Sequence, residues 1–550
     1  MKRLAELYAA LDETTKTSAK VAALERYFRA VPPEDAAWAL SFLIGRRPKR
    51  LLESRKLAQW AMEEAGVPDW LFAECFHAVG DFAETIALLL PKAGASTDLP
   101  LHYWVEERML PMREADDDIR RAWLVEAWRA MDDGQRLAWN KLLTGEFRVG
   151  VSQRLVVRAV AEASGHSTDA IAHRLMGDWQ PSAAFWARLI EPERSVPSRD
   201  REGAVLPAEV EASKSPIPST DLSRPYPFCL AYPLEGAVDE LGDRQEWQVE
   251  WKWDGIRAQL IRRQGQTFLW SRGEELITER FPEIAAAGAR LPDGTVMDGE
   301  VLAWRDGVPL GFAQMQRRIG RKELTKRILA DVPAVLLAFD LLEWNGEDAR
   351  ERPLEWRRAR LEEAAPAAAE AVVVSPVVLE ESWEELKKVR EESRLRKVEG
   401  FMLKRLGSRY GVGRRRGDWW KWKIDPYSVD CVLIYAQPGH GRRASLFTDY
   451  TFGIWDNGKL VPFAKAYSGL SDEEIREVDA FVRRNTIGTF GPVHAVKPEL
   501  VFELAFEGIQ KSGRHASGIA VRFPRMARWR HDKRPEDADS VDTIRALLGA

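Results

Sequence analysis

Apolar residues along the first 190 positions recur at helical spacing. Leu4, Leu7, Tyr8 and Leu11 follow the i, i+3, i+4, i+7 rule of an amphipathic helix, and Ile119, Trp123, Ala127 and Trp128 do much the same. Few alternating β-branched runs interrupt this stretch, and Gly45, Gly66 and Gly80 stand where helix stops are expected. The pattern predicts an all-α N-terminal region. Between 192 and 220 the character changes: Pro192, Pro197, Pro207, Pro216 and Pro218 fall among Ser, Glu, Arg and Lys. Such a composition buries little apolar surface and predicts a linker or a long exposed connection. Beyond it, short apolar runs at 248–251, 268–270, 295–297 and 335–339 predict strands with helical stretches between them. From about 426 onward short strands dominate, at 429–435, 450–455, 460–466 and 500–506, which predicts a small barrel or sandwich. The chain therefore reads as multidomain α+β: a helical domain over 1–205, a linker over 206–220, an α+β domain over 221–425 and a β domain over 426–550.

Composition narrows the class. The 550 residues leave room for three or four domains. Lys plus Arg number 81 against 85 Asp plus Glu, and the apolar share of 45% is ordinary for a soluble globular protein. No apolar run is long enough for a transmembrane helix. Glu6, Asp12 and Glu13 interrupt the stretch that a signal peptide needs uninterrupted, so a cytoplasmic protein is expected. The three cysteines are scattered, which excludes a four-thiolate zinc site and a disulfide scaffold. The eight histidines form no H-x-H or H-x-x-x-H cluster, so a catalytic metal must rest on carboxylates, which points to a hard cation such as magnesium. The near-neutral total hides two basic blocks interleaved with Trp, a net +5 over 401–430 and a net +7 over 511–534. Such blocks suit a polyanionic partner.

Several short blocks carry candidate chemistry. In Glu250-Trp-Lys252-Trp-Asp254-Gly255-Ile-Arg257 a lysine follows a strand between two indoles. Apolar walls and nearby cations favour the neutral amine that a lysine nucleophile requires, and the fork of Arg257 can face a phosphate. Met297-Asp298-Gly299-Glu300 and Glu399-Gly400-Phe-Met-Leu-Lys404 each set a carboxylate beside a glycine. Two separated carboxylates completed by phosphate oxygens are the usual way to hold magnesium, although Asp-Gly pairs are also ordinary turn residues. Ser271-Arg272 follows the strand at 268–270, and Phe339 lies near the end of a buried one, as core or as a base-stacking platform. In Arg414-Arg415-Arg416-Gly-Asp-Trp-Trp-Lys421-Trp-Lys423 the two lysines are two apart and share one face of a strand, where they can neutralise phosphoryl charge. A last block runs from Val521 to Lys533. No Walker-type loop is present; Gly508-Ile-Gln-Lys511-Ser512 lacks the glycine before lysine.

Taken in order, these blocks resemble the nucleotidyltransferase motifs of ATP-dependent DNA ligases over about residues 220–535. Leu142-Leu-Thr-Gly145-Glu-Phe-Arg148-Val-Gly150-Val151 resembles the signature of the ligase DNA-binding domain. The resemblance implies a helical DNA-binding domain, an adenylation domain and a C-terminal OB-fold β-barrel. It implies Lys252 as the residue that is adenylated, Glu250 as reader of the adenine amino group, and Arg257 and Arg272 on ribose and phosphate. Glu300 and Glu399 would take metal and sugar hydroxyls, Phe339 would stack on adenine, and Arg415, Lys421 and Lys423 would hold the nucleotide phosphates. Arg528, Arg530, Asp532 and Lys533 would orient the pyrophosphate leaving group, and Arg148 and Arg154 would contact DNA. Gly273 departs from the family pattern, where many members have Asn. The family further implies ATP and Mg2+, nicked duplex DNA as substrate, a monomer near the nucleoid, and a bacterial accessory role in repair, replication or recombination. An mRNA-capping guanylyltransferase or RNA ligase is the nearest alternative, and GTP preference would reveal the former. A non-catalytic OB-containing scaffold is another, and failure to form a covalent nucleotide adduct would reveal it. An NAD-dependent ligase is disfavoured because the scattered cysteines cannot build its zinc finger.

Overall fold

The computed structural model describes residues 1–46, 48, 51–92, 96–145, 147, 150–192, 222–321, 323–439 and 445–548. The linker expected at 206–220 and the expected DNA contact Arg148 lie outside the described residues. The chain forms two compact units, one of Met1–Ala23, Trp38–Val151 and Asp425–Ala550, the other of Leu24–Ala37 and Ser152–Ile424.

In the first unit the N-terminal part is helical. Helix Lys2–Asp12 buries Leu4, Leu7 and Leu11, as their spacing predicts. Helices Ser54–Ala65 and Asp69–Val79 stop at Gly66 and Gly80, both left-handed at φ 65° and 73°, where glycine avoids the Cβ penalty. Helix Asp117–Ala130 buries Leu124, Ala127 and Trp128, but Ile119 is exposed. Its first turn is capped by Asp116, carries Asp117 and Asp118 and faces water, so the apolar stripe begins later than the spacing suggested. None of the described helices is long and apolar enough to cross a membrane.

The second unit is built mainly on two sheets. The strands, numbered along the chain, are β1 (Tyr232–Pro233), β2 (Trp247–Trp251), β3 (Ile256–Arg263), β4 (Gln266–Ser271), β5 (Thr295–Arg305), β6 (Ala334–Trp344), β7 (Val372–Val374), β8 (Gly400–Arg405) and β9 (Trp419–Lys423). The first sheet runs β7-β6-β5-β3-β4 and the second β1-β9-β8-β2. In the second sheet Met402 lies opposite both Glu250 and Lys421, and Lys404 opposite Gln248 and Trp419. Residues paired across a ladder share a face, so this register assigns Gln248, Glu250, Met402, Lys404, Trp419 and Lys421 to one side. The alternate residues, among them Val249, Trp251, Phe401 and Leu403, form an apolar core with Trp383 and Leu386 of helix Trp383–Arg390. In the first sheet Ala258, Leu260, Met297 and Val301 enter a separate core, while Arg257, Gln259, Asp298 and Glu300 take the opposite side. A third cluster joins the sheets through Ile261, Trp270, Val296, Leu342, Tyr410 and Trp419, with Phe339 and Met402 half-buried at its border. The predicted strands are all present but longer than the apolar runs that signalled them. Asp298-Gly299-Glu300 sits inside β5 rather than in a turn.

The C-terminal strands belong to the first unit: β10 (Tyr427–Pro438), β11 (Phe447–Asp456), β12 (Lys459–Ala466), β13 (Thr486–Phe490), β14 (Val493–Val496), β15 (Val501–Phe506) and β16 (Arg525–Trp529). Strand β10 pairs with β11 along one edge. Along the other it pairs with β15 through 427–432 and with β14 through 435–436. Register shifts at 433/435 and 437/438 bend β10, and the sheet curls into a half-barrel around Phe452, Phe502, Leu504 and Phe506.

Candidate active site

The backbone fixes Lys252 before its side chain is considered. Its N–H donates to Gly400 O at 2.8 Å and its carbonyl accepts from Glu399 N–H at 2.8 Å, so the β2–β8 ladder extends one residue past β2. Close backbone approach explains both flanking glycines. A Cβ on Gly255 would lie 2.4 Å from Val301 O, and one on Gly400, at φ +119°, 2.3 Å from Trp422 O. Lys252 Nζ then lies 2.6 Å from Glu399 Oε2, which also takes Lys423 Nζ at 3.3 Å. Burial pushes the Glu399 carboxyl up, but the two ammonium groups outweigh it and hold it below the usual range.

Glu300 faces the same lysine from the other sheet and accepts Gly255 N–H at 3.2 Å. Burial raises its pKa to about 7, against the lowering pull of Lys252 and Arg257. The folded value exceeds the ordinary 4.5, so the native state binds this proton more tightly than the unfolded chain. Stability therefore falls as pH rises from about 4.5 to about 7. We expect Glu300→Gln to flatten that slope, read from unfolding midpoints between about pH 5 and about pH 8; an unchanged slope would place the titration elsewhere.

A buried polar cluster lies on the same face of the second sheet. Glu250 Oε1 accepts Lys404 Nζ at 2.9 Å and Gln248 Nε2 at 2.6 Å, and both charged side chains are almost fully buried. Lys404 Nζ also lies 4.2 Å from the Phe339 ring centre and 4.6 Å from that of Trp419. Arg257 is clamped by Asp298, with Nε to Oδ1 at 3.2 Å and Nη2 to Oδ2 at 2.7 Å. Burial works against its charge, but Asp298 outweighs it and raises its pKa. Met402, Lys404, Asp298 and Tyr410 carry no role among the sequence-based expectations, although Lys404 and Asp298 stand in the motifs quoted above. The signal for Met402 and Lys404 was available, because they follow Glu399-Gly400 at even spacing along one strand face.

Comparison with known proteins then decides the family. A family model described as "ATP dependent DNA ligase domain" matches residues 229–423. "DNA ligase N terminus" matches 1–161 and "ATP dependent DNA ligase C terminal region" 443–533. The chain belongs to the ATP-dependent DNA ligase family. It is 30% identical to a "Probable DNA ligase" of Koribacter versatilis over 98% of this chain and 95% of that protein. It is 31% identical to one of Anaeromyxobacter sp. strain Fw109-5 over 99% and 98%. A solved structure named "Pmar-Lig_PreS3" shares the fold at a TM-score of 0.60 with 14% identity, covering 96% of this chain and 99% of that one.

The remaining residues expected from the resemblance are placed less uniformly. Arg272 donates its backbone N–H to Arg257 O at 2.8 Å while its side chain is exposed. Lys421 and Lys423 share the β9 face with Trp419, as their spacing predicts. Arg415 is ion-paired with Asp169 at 2.6 Å, and Arg154 Nη1 donates to Arg414 O at 3.4 Å. The last of the expected motifs lies in the other unit. There Arg530 grips Asp430 at 3.0 and 3.1 Å and Asp532 at 2.7 and 2.8 Å, Lys533 also pairs with Asp430, and Arg528 pairs with Glu503 at 3.0 Å. Among the described residues no group of three or more His, Cys, Asp or Glu is arranged to hold a metal. The two carboxylates at Lys252 fit a hard cation that completes its shell with nucleotide phosphates.

Proposed function

We propose that this ligase seals nicks in duplex DNA through a lysine–AMP intermediate on Lys252. The observation that carries the reading is Lys252 Nζ held 2.6 Å from Glu399, with Lys423 on the same carboxylate and Glu300 opposite. The Lys252 ammonium gives up a proton, the resulting amine attacks the α-phosphorus of ATP, an N–P bond forms with loss of a second proton, the P–O bond to pyrophosphate breaks, and pyrophosphate leaves. The 5′-phosphate of the nick then displaces Lys252 and carries AMP. The 3′-hydroxyl attacks that phosphate and expels AMP.

Each residue's part follows from its chemistry. Glu250 accepts from the adenine amino group, Lys404 beside it donates, and Phe339 and Met402 offer apolar faces to the base. Arg257 and Arg272 take ribose and phosphate oxygens. Lys421, Lys423 and Arg415 neutralise phosphate charge, the main task in phosphoryl transfer. Arg528, Arg530, Asp532 and Lys533 orient pyrophosphate. Mg2+, when held by Glu300 and Glu399, would supply Lewis-acid neutralisation of the phosphates. The enzyme acts as a monomer that holds DNA through Arg148, Arg154 and the two basic blocks. The test is sealing of a nicked duplex with ATP and magnesium, beside labelled ATP to trap the adduct. An adduct without sealing would leave the chemistry and overturn the polynucleotide; no adduct would overturn both.

Contacts made mainly to phosphates ignore sequence and release counterions. Affinity for a nicked duplex should therefore fall at least tenfold between about 50 and 200 mM salt, equally for unrelated sequences. A flat titration would contradict this mode of binding.

A further inference from the structure

The Arg257 guanidinium is hydrogen-bonded along one edge. Nε and Nη2 grip Asp298, and the Tyr410 hydroxyl donates to Asp298 Oδ2 at 2.6 Å while accepting from Arg257 Nη2 at 3.4 Å. Asp298 is fully buried and Tyr410 nearly so. The rings of Phe228, Phe339 and Trp419 surround the guanidinium carbon at 5.3 to 5.8 Å. Among the described residues Arg257 Nη1 has no hydrogen-bond partner, so its two N–H groups are left for a ligand.

A carboxylate's terminal torsion is broad and roughly two-fold, so Asp298 alone would let the bidentate pair swivel. The Tyr410 hydroxyl removes that freedom. Its own ring is fixed, with its backbone N–H on Arg350 O at 2.8 Å and its edge against Trp419 at 5.7 Å. We propose that Tyr410 is a positioning residue for ATP: its hydroxyl sets the plane of the Asp298 carboxylate and so aims Arg257 Nη1 at the nucleotide. This rests on the reading of Arg257 as a nucleotide contact.

The test is a cycle of Tyr410→Phe, Arg257→Ala and the double variant in the full chain. It is read by KM for ATP and kcat of lysine adenylation, with affinity for nicked DNA and the unfolding midpoint alongside. We expect Tyr410→Phe to raise KM about tenfold, the scale of one charge-assisted hydrogen bond, with a smaller change in kcat and with DNA affinity and midpoint retained. In the Arg257→Ala background the same change should add nothing. An equal, additive effect in that background, an unchanged KM, or a joint fall of midpoint and DNA affinity would overturn the positioning role. If Arg257→Ala itself leaves KM for ATP unchanged while the wild type forms the adduct, the nucleotide assignment of Arg257 fails rather than the link to Tyr410.

Discussion

Replacing Lys252 with alanine should reduce formation of the covalent AMP adduct by about 10⁴-fold or more, because no other group can supply the nitrogen that bonds phosphorus. Glu399 and Glu300 accept protons but cannot replace an amine. Lys423 is on the same carboxylate at 3.3 Å, yet it sits on β9, two strands from β2, where the resemblance places a phosphate contact. Sealing of a nick already carrying 5′-AMP should partly survive in the same variant, since that step needs the pocket and the phosphate contacts but not the nucleophile. The two assays on one protein separate the roles. Equal loss in both would mean that Lys252 holds the site together instead of reacting. Labelled adduct persisting in Lys252→Ala would move the nucleophile to another lysine.

The second large effect is expected at Lys404. Its ammonium pairs with Glu250 at 2.9 Å with both side chains at most 2% exposed. Lys404→Met leaves the carboxylate buried with, among the described residues, only Gln248 Nε2 as hydrogen-bond donor. Stranding one member of a buried pair costs about 3–5 kcal/mol. In a unit of this size that corresponds to a fall in unfolding midpoint on the order of 10 °C. Adding Glu250→Gln removes the stranded charge and should restore most of the stability, because exchanging both members of a buried pair is close to neutral. Affinity for ATP should not return with it, since the proposed function assigns both groups to the adenine base. A Lys404→Met protein as stable as the wild type would show that the pair is not desolvated. Recovery of ATP affinity in the double variant would detach it from base recognition.

Much of this site was legible along the chain. The blocks around Lys252, Glu300, Glu399 and Lys421 were recognisable in order. Alternation in 419–423 correctly put Lys421 and Lys423 on one face, because side chains on a strand have a period of two whatever the fold. The ligase assignment followed from those residues, and the family comparison agrees with it. Partnership was not legible. Glu250 and Lys404 are 154 positions apart, and nothing local marks Lys404 as the counter-ion of Glu250 rather than a surface lysine. Likewise, the last motif reads as four charges within six residues, but folding turns Arg530 and Lys533 onto Asp430 and Arg528 onto Glu503. The sequence by itself determined the elements, the faces and the chemical inventory, since these depend on local periodicity and residue type. Only the tertiary structure decided which charges neutralise one another and that Tyr410 and Asp298 clamp Arg257, because the register between distant strands sets which side chains come within hydrogen-bond reach.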